Sequence, residues 1–403
     1  MAETAVRPPP LLERALDRIR EGRAPGAEEA TALLGTPSEL SPVLLEAAAR
    51  LRDRAHGRRI TFSAKVFVPL TTLCRDYCGY CTFRKDPGEP GAFTMTPDEV
   101  LALAEAGARL GAKEALFSLG DKPEALFAEQ RAILRRLGHR TTLGYLRAVS
   151  ERVLEETGLL PHANPGLMSE RDLASLREVN VSMGIMLESL SDRLLGPGAA
   201  HDRAPDKAPA RRLKTIALAG KLAIPFTTGI LIGIGETHAE RVASLLAIRE
   251  VHERHGHIQE VIVQNFRAKA SIPMRHWPDP TADDLMKTVA VARLLLGPAM
   301  NIQAPPNLSA GGYDRLPAAG LNDWGGVSPL TPDHINPEQP WPALAELKRR
   351  TEAAGHELRE RLAVYPAFAT RAECIDERLR ARVARLVGAD GLVRPELEIW
   401  RHW

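Results

Sequence analysis

From Ile60 onward the chain alternates between short apolar runs rich in β-branched residues and longer stretches whose apolar positions recur at helical period. The first run, ITFSAKVFVPLTT, is a strand that delivers its end directly into a polar, cysteine-bearing loop. Thr96-Pro97-Asp98-Glu99 then opens a helix to about residue 110, with Thr96 as cap and Pro97 in the first turn, where a missing N–H removes no helical bond. The alternation continues with strands predicted at 112–119, 158–164, 181–189, 225–234 and 258–266. Helices are predicted at 170–178, 206–223, 238–255 and 281–296, with helical segments between 124 and 156. A seventh strand fits 301–304 and an eighth fits 322–327. Six clear strand–helix units, and up to eight, predict a TIM-like parallel (βα) barrel rather than two separate domains. In such a barrel the loops at the C-terminal strand ends build the site.

Ahead of the barrel, residues 1–59 read as a helical lead. It has a Pro-rich segment at 7–10 and helical patterns at 11–21 and 38–54, the second with Ser38 as its cap. The barrel is expected to fill 60–340, and 341–403 to form a helical extension packed on it. Cys374, alone in an amphipathic part of that extension, reads as an inert buried thiol. Composition narrows the function. The 403 residues carry 53 Lys and Arg against 51 Asp and Glu, a formal charge of +2, with the basic residues scattered, which argues against a nucleic-acid partner. No run approaches the roughly 18 apolar residues of a membrane span, and the N-terminus has no apolar signal core, so the expected location is cytoplasmic.

The candidate chemistry lies in TLCRDYCGYCTF, which holds Cys74, Cys78 and Cys81 within eight residues. Thiolates suit iron–sulfur clusters, zinc or Cu(I), and the CxxxCxxC spacing lets one loop wrap three sulfurs around one face of a metal centre. A zinc site would want a fourth Cys or His close by, and the nearest histidines are His56 and His139. A cluster with one open iron is the better reading, with a structural zinc clip or a non-enzymatic electron carrier as alternatives.

With an aromatic residue, Tyr80, directly before the last cysteine, the loop resembles the signature of the radical S-adenosylmethionine (SAM) superfamily. The resemblance implies that Cys74, Cys78 and Cys81 bind three irons of a 4Fe-4S cluster, and that SAM chelates the fourth. It also assigns SAM contacts at the following strand ends. Gly120 and Glu124 lie in GDKPE, where the superfamily has a glycine-rich turn ending in Glu; Glu124 could equally cap a following helix. Glu188 ends the fourth strand where a ribose diol would bind, with an internal salt bridge as the alternative. Gly233, in GILIGIGET, is placed beside the adenine. Gln264 and Asn265, polar residues at the mouth of the sixth strand, have three readings: contact with adenine, contact with substrate, or satisfaction of loop backbone.

Further phrases narrow the resemblance to one family, the CofG subunit of FO synthase: PHANPG, SMGIMLES, IPFTTGILIGIGET, VIVQNFRAK and LNDWGGVSPLTPDHINPEQPWP. That family makes the deazaflavin FO, the chromophore of coenzyme F-420. The resemblance implies a radical SAM ammonia lyase, in which a 5′-deoxyadenosyl radical starts cyclisation of a hydroxybenzyl–ribitylaminouracil adduct. CofH would supply the adduct, as a separate subunit or a fused second half, and a flavodoxin or ferredoxin would supply electrons. Asn322 and Asp323, read as part of a long loop over the mouth, are the candidates for substrate contact; the alternative is that Trp324 is only a hydrophobic plug and its neighbours, Gly325 and Gly326 among them, are turn formers. Another radical SAM enzyme of similar barrel, of menaquinone- or thiazole-pathway type, is the competing reading.

Overall fold

The structure, a computed structural model, describes residues 9–309 and 311–402; Arg7 and Pro8 of the predicted Pro-rich lead lie outside them. Eight parallel strands close on themselves: β1 (Arg59–Thr71), β2 (Glu114–Leu119), β3 (Leu160–Asn164), β4 (Ser182–Gly184), β5 (Phe226–Ile232), β6 (Ile258–Asn265), β7 (Ile302–Gln303) and β8 (Asp323–Val327). The ring is completed by β1, which pairs with β2 through Lys65–Thr71 and with β8 through Thr61–Ala64. The predicted barrel is therefore present with all eight strands, although β4 is three residues long where nine were predicted. The Ile185 N–H still donates to the Thr227 carbonyl, and the chain then leaves the sheet until Glu188, at a φ of 64°, bridges to Ile230.

Several helix starts follow their local chemistry. Thr96 accepts from the Glu99 N–H while the Glu99 carboxylate takes the Thr96 N–H, so two backbone donors without helical partners are satisfied at once. Thr237 and Glu240 repeat this reciprocal arrangement ahead of His238–His255. Ser38 does not cap the helix predicted from it. That helix is Ser41–His56, with Leu40 at the capping position and Pro42 in its first turn. The lead also contains a helix, Ala27–Leu34, not singled out in the sequence.

The extension beyond 341 is not wholly helical. Strand β9 (Glu357–Arg361) joins the sheet parallel to the first residues of β1, on the edge that β2 occupies further along. The chain then crosses the N-terminal end of the barrel. The Ala363 carbonyl accepts from Ser182 Oγ of β4 and Gln259 Nε2 of β6, while the Tyr365 N–H donates to Gln259 Oε1. Leu362, Val364 and Phe368 pack with Leu160 and Val181 beneath the strands, and Cys374 lies buried in the same cluster. The extension plugs the end of the barrel opposite the cysteine loop.

Asn322 and Asp323 belong to this plugged end and not to a loop over the mouth. Asp323 is fully buried at the first residue of β8 and is held in a fork by Arg361, with Nε–Oδ2 at 2.7 Å and Nη2–Oδ1 at 2.8 Å; Thr61 donates a further bond. The Asn322 side chain accepts from Arg293 Nη2 and the Ile302 N–H. Both expected substrate contacts are thus structural. The segment is the predicted eighth strand, and its glycines are required by neighbours across the sheet. Trp324 is a buried plug, its Nε1 donating to Thr351 Oγ1. Only residues after 327 reach the mouth.

Candidate active site

The C-terminal ends of the strands enclose a cavity of about 340 Å³. Cys74, Cys78 and Cys81 all line it, together with Tyr80, Gly120, Glu188 and Gln264, so the structure brings together most of the residues expected from the sequence. The cysteine loop is clamped into place by its backbone. The Arg75 N–H donates to the Asp121 carbonyl and the Gly79 N–H to that of Ala200. A Cβ on Gly120 would lie 1.9 Å from the Leu73 carbonyl oxygen, so no side chain fits where the two loops meet.

The donor set fits a metal cluster. Cys74 Sγ accepts N–H bonds from Asp76 at 3.4 Å and Asp121 at 3.2 Å, the polarity that stabilises a thiolate. Burial pushes the Cys78 thiol up to about 12, with Lys207 opposing it; thiolate in such a place calls for a cation such as iron.

Glu124 is elsewhere. Its carboxylate accepts from Thr142 N and Oγ1 at 3.0 and 2.6 Å, at the start of the helix Thr142–Thr157, and it does not line the cavity. The carboxylate that this loop does deliver is Asp121, buried, accepting from the Leu167 N–H and pushed up to about 6 mainly by burial. It was legible as the acid directly after the glycine, where the expected pattern put the acid four residues on. Glu124→Ala should therefore lower stability by about 1–2 kcal/mol, as loss of a helix cap does, seen as a lower thermal midpoint, with SAM cleavage unchanged.

Glu188 makes the internal salt bridge that was one of its readings, and it also lines the cavity. Its Oε1 pairs with Lys207 Nζ at 2.6 Å, while Oε2 has no hydrogen-bond partner among the described residues and the side chain lines the cavity. Burial raises the carboxyl, but Lys207 and Arg212 outweigh it and hold the group below its ordinary value. The Tyr80 hydroxyl meets His201 Nε2 at 3.1 Å, ring edge to ring face. Gly233 is away from the cavity. Its N–H donates to Glu236, and a Cβ there would strike Pro280. Asn265 and Gln264 do line the wall, as do Phe67 and Trp341, stacked with centroids 5.3 Å apart. Lys65, Asn164, Lys207 and Gln303 were not foreseen: each is a polar residue within an apolar strand or a distant loop, and only the closure of the barrel brings them together.

Residues 68–248 match the radical SAM superfamily. Over 312 residues the chain is 50% identical to the 7,8-didemethyl-8-hydroxy-5-deazariboflavin synthase of Methanopyrus kandleri, covering 77% of this chain and 93% of that protein. The chain belongs to this radical SAM family. The family carries a 4Fe-4S cluster and SAM, and the CxxxCxxC loop is its cluster motif. The chain is also 52% identical to the FO synthase of Streptomyces coelicolor and 50% identical to that of Mycobacterium tuberculosis H37Rv, in each case over 97% of its own length. It spans only 46% and 48% of those proteins, about half the length of each. Among solved structures, the FeFe-hydrogenase maturase HydG from Carboxydothermus hydrogenoformans aligns with a TM-score of 0.70 at 20% identity, over 88% of this chain and 80% of that one. Methylornithine synthase (PylB) aligns at 0.67 and 20%, over 85% and 97%. These two likenesses establish the shared barrel.

Proposed function

We propose that this chain catalyses the cyclising half of FO synthesis. In this reading it converts a 5-amino-5-(4-hydroxybenzyl)-6-(D-ribitylimino)-5,6-dihydrouracil adduct to the deazaflavin with release of ammonia. The observation that carries the reading is the match, at 50% identity over 77% of this chain and 93% of the relative, to a protein named for deazariboflavin synthesis, in a chain with a single cysteine triad. One triad supports one radical reaction. The FO synthases of about twice this length then fit a protein with two such halves, with the adduct supplied by a CofH-type partner or fused half.

The cluster and SAM together would supply, on reduction by a flavodoxin or ferredoxin, a carbon radical able to remove a substrate hydrogen. The protein's tasks are to bind, orient and exclude water. Cys74, Cys78 and Cys81 hold the cluster. Tyr80 and the Gly120 backbone shape the wall beside it; Asp121 would receive the SAM amino group and the second Glu188 oxygen would accept from the ribose diol, with Gln264 further along the wall. Water exclusion is the task of the plugged barrel floor and of the stacked Phe67 and Trp341, because a primary carbon radical must meet its target before it meets solvent. A cytoplasmic setting suits the reduced thiols; among the described residues no helix is long and apolar enough to cross a membrane.

Glu188→Gln should weaken SAM binding by roughly 1.5–3 kcal/mol, the range for hydrogen bonds to charged groups, with iron content unchanged. Loss of iron instead would give Glu188 only the duty of holding Lys207. The reading as a whole is tested with anaerobically purified, cluster-replete protein given dithionite, SAM and the adduct. Both 5′-deoxyadenosine and the deazaflavin absorbance should appear. Tyrosine with the ribitylaminouracil should give no deazaflavin. Deoxyadenosine without deazaflavin from the authentic adduct would assign the chain to another radical SAM reaction.

A further inference from the structure

Beneath the cysteine loop the cavity descends between β7, β8 and β1, where two glycines replace side chains. A Cβ on Gly326 would lie 2.0 Å from Lys65 Nζ, and one on Gly325 would lie 2.1 Å from Gln303 Nε2. With no side chain on β8, Lys65 from β1 and Gln303 from β7 fold over the two glycines toward one patch of the cavity floor. Both residues line the cavity.

Among the described residues the Lys65 ammonium and the Gln303 Oε1 have no hydrogen-bond partner. Lys65 Nζ makes no hydrogen bond or ion pair among the described residues and rests 4.3 Å from the centre of the Phe67 ring. Gln303 Nε2 donates to the Trp324 carbonyl at 3.4 Å, which fixes the amide and leaves Oε1 as a buried acceptor without a partner. Buried polar groups are left unpaired at a cost of 1–3 kcal/mol or so, and a paired donor and acceptor facing one cavity is the complement of an O=C–N–H edge. Asn265 repeats the pattern on β6: its Nδ2 donates to the Leu308 carbonyl, and its Oδ1 is a second acceptor without a partner in the wall.

We infer that Lys65 and Gln303 form the subsite for a pyrimidinedione ring, with the Lys65 ammonium donating to a ring carbonyl and Gln303 Oε1 accepting the adjacent ring N–H. The inference rests on the function proposed above and names the part of the substrate that lies deepest. The charges facing Lys65 support it. Burial lowers the amine below its ordinary value, Glu114 of β2 and Glu260 of β6 oppose this, Arg361 beyond the floor adds to it, and Asp333 of the mouth loop opposes it. A ring oxygen carrying partial negative charge fits beside an ammonium held this way, with none of these three carboxylates in hydrogen-bonding contact with it.

The test is equilibrium binding of 5-amino-6-ribitylaminouracil and of the full adduct to the cluster-replete protein, followed by quenching of Trp341 fluorescence or by calorimetry. Lys65→Met should weaken both ligands about ten- to a hundredfold, the loss of one charged hydrogen bond. Gln303→Leu should weaken them about tenfold and abolish discrimination against a ring N-methylated analogue. Gly326→Ala keeps the charge but forces the Lys65 side chain aside, and should act in the same direction as Lys65→Met. Wild-type affinity in both Lys65→Met and Gln303→Leu would overturn the subsite while leaving the proposed function standing. Absence of adduct binding to the wild-type protein would overturn the proposed function and the subsite with it.

Discussion

Alanine in place of any one of Cys74, Cys78 or Cys81 is expected to reduce 5′-deoxyadenosine formation to background. The three sulfurs converge on one cavity wall, and two thiolates cannot hold a cluster with a single open iron. The effect should be visible before any assay, as loss of iron and sulfide and of the brown absorbance of the reconstituted protein. Cys374→Ala is the internal control. Its thiol is packed under the barrel with Leu379 and Val383 and should leave cluster and turnover intact. Normal deoxyadenosine production by any one of the triad variants would remove the central claim.

The second large effect concerns stability. Asp323→Ala leaves the Arg361 guanidinium buried with its fork unmet, and breaking a buried pair from one side costs roughly 3–5 kcal/mol. A sharply lower thermal midpoint is expected, with deazaflavin formation falling only as folded protein is lost. Replacing both partners, Asp323→Leu with Arg361→Met, should recover much of the midpoint, because no orphaned charge remains. Were Asp323→Ala as stable as the parent yet inactive, Asp323 would regain the substrate role that its sequence context suggested.

That reversal shows what was legible and what was not. The cysteine loop could be read because its chemistry is local: three ligands within eight residues need no knowledge of the fold. The barrel could be read because each strand–helix unit repeats one pattern. Asp323 could not, since its partner Arg361 lies 38 residues on, in a segment whose strand β9 forms only by pairing with β1. Glu124 had an acidic residue's freedom to cap or to bind, and the deciding partner, Thr142, is eighteen positions away. Gly325 and Gly326 looked like turn formers; their purpose is to lack side chains beneath Gln303 and Lys65, which is visible only across three strands. The signal fails wherever a residue's role is defined by a neighbour across the sheet.

The crossing of 361–365 beneath the strands makes the barrel a vessel with one open end. Lys65 and Gln303 lie at its floor and the cysteine loop at its rim, so ligands bound at the proposed subsite and at the cluster would be stacked in a queue. A ligand reaching the floor must precede the one that seats against Cys74, Cys78 and Cys81, and must leave after it. Kinetics should therefore show a compulsory order, with the heterocycle first in and last out, and excess SAM should inhibit by corking the vessel before it is filled.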